Sequence, residues 1–522
     1  AISLRSQDLS CGARLHSKGK TMSVSESDLR AIKADFEKRS GLRELESQIK
    51  RAASGPVLII YVSRPTERLF HLLEESVSSI LDDGDEEIVA TLKAQAKENI
   101  VEAPETKLLL RVLAESQNVN QFSFKDDFFD KYTSTVSAAE EQIVSNANHI
   151  VFGRRGAGKS MLLLYSLRLR QRDEKTSVWV DLQTYASRND DRVVSDVIAD
   201  VLSGLGAASI SHAGLSEIQT QLEHEDLSLS ELLQRIPRIR RGLFRLSSES
   251  ELFVFLDDLH VIHQEMQSRV LGALYSICRG NNIFLKISAI ENLTKAFDTA
   301  SKQGLEIPHD AQAIHLDYNL TTPEKTSKHI ETILDGHARY SGISGIRRLC
   351  RSPEVLARLT WVSAGVPRDA LYLFSQALQK ASVEGRDRVT VSNVNQAASE
   401  TLSIKLKDLE ADASFGADDL RYELERIKDF CIQNNRQNAF LVEIQPSSQL
   451  YQRVVSLAQL RLLHVISEGI TPNEAGRKYL ALILDYGMYI GIRAARSVEL
   501  FNKSFDDASY AKLRKLPILR ED

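Results

Sequence analysis

A glycine-rich run at residues 153–160 has the residue types and the spacing to bind a chain of phosphates. It reads G-R-R-G-A-G-K-S and fits the pattern G-x-x-x-x-G-K-[ST], the phosphate-binding loop or P-loop. Glycines let the backbone curl so that its N–H groups point at phosphate oxygens. We therefore predict a nucleoside triphosphate site, with ATP as the expected ligand, formed by Gly153, Arg154, Arg155, Gly156, Ala157, Gly158, Lys159, Ser160 and Met161.

Each end of this run has an expected role. The helix that should begin near Lys159 adds its positive N-terminal end to the site. The Lys159 ammonium group is expected to reach the β- and γ-phosphates, and the Ser160 hydroxyl is expected to ligate Mg²⁺. Apolar residues at 150–152 and 161–164 predict the strand and the helix that such a loop requires on its two sides.

A second feature, a strand that ends in two acids, follows about a hundred residues later. Residues 252–256 form an apolar run typical of a strand buried on both faces, and Asp257 and Asp258 follow it. Ligands bind at the carboxyl ends of strands in open α/β sheets. We expect Asp257 to hold Mg²⁺ and Asp258 to orient and deprotonate the attacking water. The Asp258 side chain is one methylene shorter than a Glu side chain would be at this place, so it reaches less far towards the attacking water. Slow hydrolysis is consistent with this shorter reach.

Composition limits the class of protein. The chain has 522 residues, 43% of them hydrophobic and 26% charged, which is typical of a globular protein of several domains. The net charge of −5 means that any contact with nucleic acid must come from a local patch. The four cysteines fit neither a zinc pattern nor a disulfide framework, and no apolar run is long enough to cross a bilayer, so we predict a cytoplasmic protein without a membrane partner.

The pattern along the chain predicts five segments. Strands alternating with helices from about residue 122 indicate βαβ units and a parallel sheet, hence an α/β fold. Upstream, residues 56–62 predict a buried strand, and residues 29–50, 69–81 and 86–97 look helical. The predicted segments are a disordered tail at 1–23, a small N-terminal α/β region at 24–120, the P-loop core at 121–320, a helical lid at 321–410 and a C-terminal domain at 411–522.

The P-loop, the acidic strand and the helical tail together resemble an AAA+ ATPase, most closely the origin-recognition-complex-like branch. The resemblance covers about residues 122–522. It implies a sensor residue at the end of the strand after the acidic one, for which Ser288 is the candidate and Asn292 the second choice. It also implies an arginine that opens a lid helix and pairs with the γ-phosphate, and Arg368 in G-V-P-R-D-A-L fits that place. Gly365 and Pro367 beside it are also similar to those of STAND signalling ATPases.

One departure from the family concerns the arginine finger, which usually follows the first sensor and acts on a neighbouring subunit. Residues 292–320 contain no Arg, and Lys295 and Lys302 are the cations there. Arg235, Arg238, Arg240, Arg241 and Arg245 form a cationic alternative, or a solvated helix face. The protein could therefore use a finger from elsewhere, act as a monomeric switch or need a partner, and a homo-oligomer stays open.

The resemblance also implies a C-terminal winged helix. Residues 448–457 look helical, residues 461–466 look like a strand, and residues 467–472 predict a turn into a helix that begins near Asn473. Residues 418–522 contain 15 Lys and Arg and 14 Asp and Glu, a net charge of +1, which supplies few phosphate contacts. DNA binding by a local face and protein contact both stay open; the candidate DNA-binding cations are Arg453, Arg461, Arg477 and Lys478.

Three functions follow from these features. The first is an ATP-binding and ATP-hydrolysing switch that acts on DNA or on a partner protein, with Lys159, Asp258, Ser288 and Arg368 as its catalytic set. The second is a non-catalytic ATP-binding subunit of a multi-protein complex, for example in anti-phage defence, which the missing finger and Asp258 favour. The third is a DNA binder similar to replication initiators.

Overall fold

The computed structural model describes most of the chain. The described residues are 13–14, 24–52, 55–81, 88–94, 99–123, 127–134, 138–186, 188, 190–224, 229–248, 251–316, 320, 323–412, 417–472, 477–489 and 510–521. They divide into two compact units, each discontinuous in sequence. The first contains residues 1–116, 331–359 and 371–400, and the second contains residues 117–330, 360–370 and 401–522.

A four-stranded mixed sheet organises the N-terminal part of the first unit. Its strands lie in the order β1, β4, β3, β2, with β3 and β4 parallel and the two outer pairs antiparallel. The strands are β1 Ala13–Arg14, β2 Ser47–Ala52, β3 Gly55–Val62 and β4 Ile88–Ala94. Leu29, Phe36 and Leu73 of the adjoining helices are fully buried with Ile60 of β3 in one apolar core. These helices are α1 Glu26–Ser40, α2 Glu67–Ile80 and α3 Pro104–Glu115.

Two predicted helices in this region are wrong. The helix predicted at 29–50 ends at Ser40, because Gly41 adopts the left-handed conformation (φ 74°) that closes a helix, and β2 follows. Within the helix predicted at 86–97, Ile88–Ala94 form the strand β4, which pairs with β3 in parallel register, and the other residues of that range lie outside the described part of the chain. Of the predicted disordered tail, Ala13–Arg14 form the strand β1, and the rest lies outside the described residues.

A five-stranded parallel sheet forms the centre of the second unit, as the sequence predicts. The strands lie in the order β11, β5, β8, β7, β6, and every neighbouring pair is parallel. All residues of β5 and β7 are buried, which is why both strands read as continuous apolar runs. The strands are β5 His149–Phe152, β6 Ser177–Asp181, β7 Leu252–Asp257, β8 Ile283–Ala289 and β11 Gln312–His315, and the hairpin β9 Phe297–Asp298 with β10 Gln303–Gly304 lies between β8 and β11 in the chain.

Helices connect these strands and supply their apolar cover. Val197 and Leu202 of one helix and Leu271 and Leu274 of another are buried in one core with Val254 of β7. The helices before β11 are α4 Phe128–Lys131, α5 Ala139–Ile143, α6 Lys159–Arg172, α7 Arg192–Gly204, α8 Ala207–Ala213, α9 Ser216–His224, α10 Leu229–Ser247 and α11 Gln264–Cys278.

The segment after β11 is helical, as expected for residues 321–410. Its helices are α12 Pro323–Tyr340, α13 Glu354–Val362, α14 Pro367–Val383 and α15 Val391–Asp412. Pro367 is the first residue of α14, a place that suits proline because its missing N–H has no partner in the first turn of a helix.

The C-terminal residues contain a second sheet, with strands in the order β13, β14, β12, β15. The helix predicted to begin near Asn473 is wrong. Residues 473–476 lie outside the described residues, and Tyr479–Leu484 form the strand β14, buried along its whole length between β13 and β12. The elements are α16 Ala417–Asp429, β12 Ala439–Glu443, α17 Gln449–Gln459, β13 Leu463–Ile470, β14, α18 Tyr510–Leu513 and β15 Ile518–Leu519.

Candidate functional site

The P-loop joins β5 to α6, as its sequence predicts. Gly156 (φ 81°) and Gly158 (φ 98°) both have positive φ, and Gly158 immediately precedes α6. Side chains with a Cβ rarely adopt this conformation, which explains why glycine occupies both places. The buried Lys159 side chain lies across the loop, where its Nζ donates to the carbonyl oxygens of Gly153 at 3.0 Å and Arg154 at 3.2 Å.

Asp257 joins the P-loop to the acidic strand. Its Oδ1 accepts hydrogen bonds from the Ser160 hydroxyl at 3.0 Å and from the Ser288 hydroxyl at 2.5 Å. The sheet order explains this meeting, because β8 carries Ser288 and lies between β5 and β7. Burial, and after it the charge of Asp258, raise the pKa of Asp257 to about 6. The structure thus brings together the two predicted metal ligands and the predicted sensor.

Asp258 turns away from the strand immediately after Asp257. Its backbone is left-handed (φ 60°, ψ 47°), a conformation that Asp tolerates better than most residues, and its N–H donates to the Ser288 hydroxyl at 2.8 Å. One Ser288 hydroxyl therefore accepts from the Asp258 backbone and donates to the Asp257 side chain. The two consecutive carboxylates therefore differ in environment, because Asp257 is buried whereas the Asp258 side chain is 37% exposed.

Arg368 lies directly against the P-loop. Its backbone N–H donates to the Gly156 carbonyl oxygen at 3.2 Å. A Cβ on Gly156 would come within 2.8 Å of the Arg368 Cβ, so Gly156 is needed for close approach as well as for its φ. Arg154 adds a second link, because its Nη2 donates to the Ala364 carbonyl oxygen at 3.3 Å. The candidate lid arginine and the P-loop are therefore neighbours, and pairing of Arg368 with the γ-phosphate stays a prediction.

The donor set at Asp257 suits a hard cation such as Mg²⁺. A hydroxyl and a carboxylate oxygen already share a hydrogen bond there, and Mg²⁺ prefers oxygen ligands. Within the described residues, no group of three or more His, Cys, Asp and Glu side chains could hold a metal. Ser160 and Asp257 could therefore supply part of a Mg²⁺ coordination shell, which phosphate and water oxygens would complete.

His260 belongs to this site although the sequence reasoning missed it. It lies in the short turn Leu259–Val261 after β7, and its side chain is 5% exposed. Its Nδ1 is 3.8 Å from Asp258 Oδ1. Its position two residues after a candidate base was the available signal. A single histidine among apolar residues is usually a core residue, so the signal was weak.

The arginines that could replace the arginine finger lie on α10, and two of them contact side chains of α9. Arg238 forms an ion pair with Glu217 at 3.0 Å, and Arg235 Nε donates to Gln221 at 3.1 Å. These two arginines therefore hold two helices of the same unit together. Asn292, the second sensor candidate, has a side chain that lies outside the described part of the structure.

Three of the four candidate DNA-binding cations form ion pairs with carboxylates. Arg453 lies 3.2 Å from Asp419, and Arg477 lies 3.8 Å from Glu443. Arg461 lies 2.5 Å from Asp369, the residue after Arg368, and these two side chains are largely buried. These ion pairs reduce the positive charge that the three arginines could present to a phosphate backbone.

Asp485 of the C-terminal part of the chain, which comprises the elements from α16 to β15, lies in a buried cluster of charged side chains. Lys405 Nζ donates to Asp485 Oδ2 at 2.6 Å, and His464 Nε2 lies 2.8 Å from the same oxygen. The Lys405 charge and the His464 hydrogen bond hold the pKa of Asp485 well below its usual range although burial opposes this shift. The cluster joins α15 to the hairpin of β13 and β14, which is the hairpin that Arg461 precedes.

Comparison with known proteins supports the predicted resemblance. A family model described as ORC-CDC6-like matches residues 209–359, which include Asp257, Asp258 and Ser288 but not the P-loop or Arg368. The predicted similarity to origin-recognition AAA+ proteins is therefore confirmed over these residues. No curated protein sequence matches the chain.

Three solved structures show a distant likeness to this chain. The ORC1 protein of Aeropyrum pernix in complex with DNA is 16% identical, with 69% of this chain and 91% of that chain covered and a TM-score of 0.39. Cdc6p of Pyrobaculum aerophilum is 15% identical, with 74% and 97% covered and a TM-score of 0.34. Drosophila ORC bound to DNA is 14% identical, with 81% and 96% covered and a TM-score of 0.35.

In the part of the chain that the structure describes, no helix is both long enough and apolar enough to cross a membrane.

Proposed function

We propose that this chain is an ATP-binding and ATP-hydrolysing molecular switch that acts on a partner protein or on DNA. The observation that carries the proposal is the meeting of Ser160 and Ser288 on one oxygen of Asp257. It joins a phosphate-binding loop to a buried acid at the carboxyl ends of parallel strands. Such a place combines anion-binding N–H groups with oxygen ligands for a cation, and a magnesium nucleotide needs both.

Each residue of the site has a role in the proposed hydrolysis. The backbone of residues 153–161 and the Lys159 ammonium group bind the phosphates. Ser160 and Asp257 would hold Mg²⁺, which would neutralise charge on the β- and γ-phosphates. Asp258 accepts a proton from the water that attacks the γ-phosphorus, as the bond from that phosphorus to the bridging oxygen breaks. Arg368 pairs with the γ-phosphate.

The route from the nucleotide to the C-terminal part passes through adjacent residues of α14. The Arg368 backbone N–H donates a hydrogen bond to the P-loop at Gly156, and the following residue, Asp369, forms an ion pair with Arg461. Arg461 immediately precedes Leu462 and β13. A change in the position of Arg368 on γ-phosphate binding or release would therefore move the acid that holds the C-terminal hairpin. This adjacency favours a switch whose state the C-terminal part presents to a partner.

The test is ATP turnover by the purified chain and by the variant Asp258→Asn. We expect the variant to lose at least about 100-fold in turnover, because it removes the proton acceptor, while its ATP affinity changes less than about threefold. Asp173→Asn is the matched control, since Asp173 is exposed at the opposite end of α6, about 20 Å along the helix from the P-loop. Unchanged turnover in the Asp258 variant, or loss of ATP binding, would show that this role is wrong.

The second candidate is an ATP-binding scaffold that does not hydrolyse ATP. The absence of Arg from residues 292–320 and the short side chain of Asp258 favour it. Tight ATP binding by the wild-type chain, with turnover no faster than in buffer, would select this function. For the switch and for the scaffold alike, Arg453, Arg461 and Arg477 form ion pairs with carboxylates. These ion pairs favour binding of the C-terminal part to a partner protein over binding to DNA.

A further inference from the structure

His260 presents an unpaired nitrogen inside the candidate site. Its side chain is 5% exposed, and its Nδ1 has no hydrogen-bond partner among the described residues. Burying a polar nitrogen without a partner costs free energy, so such an atom in a site calls for a function. The nearest acid is Asp258, whose Oδ1 lies 3.8 Å from this nitrogen.

The surroundings of His260 keep its ring neutral. Burial lowers its pKa to about 3, and the positive charges of Lys159 and Arg155 lower it further in the same direction. A neutral imidazole has one N–H donor and one acceptor nitrogen. The neutral ring can therefore donate one hydrogen bond, and the nearby Asp258 carboxylate can accept it.

Asp258 has a reason to need such a donor. Its backbone N–H donates to Ser288, but its side chain is 37% exposed. A carboxylate that must orient a water molecule needs a fixed direction, and a misplacement of about 1 Å can cost about 100-fold in rate. The distance from His260 is about 1 Å longer than a hydrogen bond, and contacts of this kind often shorten when substrate binds.

We propose that His260 is a positioning residue for the hydrolysis proposed above, donating its Nδ1–H to the Asp258 carboxylate and holding it towards the attacking water. The inference rests on the proposed function. It assigns a role to a residue outside both the P-loop and the acidic pair. Asp258 remains the proton acceptor, and His260 neither gains nor loses a proton in the step.

Three substitutions of His260 separate this role from simple space filling. His260→Asn keeps an N–H at the distance of Nδ1 from the backbone, whereas His260→Gln moves the N–H out to the distance of Nε2. His260→Phe fills the space with a ring and removes the donor. A residue that only fills space would tolerate Phe best, whereas a donor at Nδ1 is retained only by Asn.

The experiment measures kcat, KM for ATP and ATP affinity for the full chain and these variants, with thermal unfolding to check folding. We expect His260→Asn to lose less than about threefold in kcat, and His260→Gln and His260→Phe to lose about 10- to 100-fold. KM and ATP affinity should change less than about threefold in every variant, since His260 acts on Asp258 and not on the nucleotide.

The outcomes distinguish this inference from the function it rests on. If the wild-type chain binds ATP without turnover, the proposed hydrolysis fails and takes this inference with it. Two outcomes overturn the positioning role if the wild-type chain hydrolyses ATP. In the first, the kcat of His260→Asn falls as far as those of His260→Gln and His260→Phe; in the second, His260→Phe retains the wild-type kcat. The proposed hydrolysis stands in both cases. A change confined to KM would also overturn it.

Discussion

At the residue scale, the site is organised by a single hydroxyl. Ser288 accepts a hydrogen bond from the Asp258 backbone and donates one to the Asp257 side chain. Burial raises the pKa of Asp257, and the hydrogen bond from Ser288 lowers it. Removing the Ser288 hydroxyl should therefore raise the pKa of Asp257 further. The candidate sensor therefore has a defined structural role at the acids, whatever it contributes to a bound nucleotide.

Lys286, two residues before Ser288 on β8, carries a prediction at the same scale. Its side chain is fully buried, and its Nζ donates to the carbonyl oxygens of Ser145 at 2.6 Å and Ala147 at 2.8 Å. Burial, with the charge of Arg170, lowers its pKa from 10.5 to about 6. Between these pH values the unfolded chain binds a proton that the folded chain does not, so this group makes stability rise with pH across that window.

The variant Lys286→Met should remove this contribution. We expect the midpoint of urea unfolding to rise less between pH 7 and about pH 9 in the variant than in the wild-type chain. Lys515→Met, at an exposed lysine, is the control and should keep the wild-type pH dependence. A variant of Lys286 with the same pH dependence as the wild-type chain would show that the buried amine keeps its proton.

The residue types of the candidate site could be predicted from the sequence more readily than its geometry. The P-loop and Asp257 could be identified because glycine, lysine and acid types at fixed spacing are local properties of the chain. Ser288 could be proposed because a polar residue ended the next predicted strand. His260 could not, since its significance comes from burial and from an unpaired nitrogen, and these depend on the fold of the turn after β7.

At the element scale, the central strands were predictable and short apolar runs elsewhere were not. β5 and β7 are buried on both faces, and glycine or acid marks where they end. β4 and β14 were mistaken for helices, because apolar residues in a run of six or seven satisfy both helical and strand spacing. Their pairing decided the outcome: β4 pairs with β3, which precedes it by a whole helix in the chain, and β14 pairs with β13 on one side and β12 on the other.

The ion pair between α14 and the start of β13 makes a prediction at this scale. Arg461 and Asp369 are 2.5 Å apart and largely buried, so Arg461→Ala should cost about 1 to 3 kcal/mol of local stability. If this pair transmits the nucleotide state, ATP should change amide hydrogen exchange of residues 463–470 in the wild-type chain but not in the variant.

Arg453→Ala is the matched control for this variant. Arg453 also pairs with an acid, but its partner Asp419 lies within the C-terminal part. The control should keep the ATP-dependent change in exchange. An Arg461 variant that responds to ATP as the wild-type chain does would exclude the ion pair as the link.

At the scale of the whole molecule, the chain divides into units that composition could not anticipate. The unit that contains the N-terminal residues also contains residues 331–359 and 371–400. Shifts in composition mark changes along the chain, whereas this division arises from packing between distant segments. The boundaries predicted at 120, 320 and 410 and a C-terminal winged helix stay predictions, as do the homo-oligomer and the cytoplasmic location.

The binding of magnesium ATP, measured by isothermal titration calorimetry, tests the central claim most directly. We expect the wild-type chain to bind with a dissociation constant of about 1 to 100 μM, corresponding to about 5 to 8 kcal/mol. Lys159→Ala should show no measurable heat of binding, since it removes the ammonium group held beside the loop carbonyls. A wild-type chain without affinity for ATP, or a Lys159 variant that binds as tightly as the wild-type chain, would contradict the account.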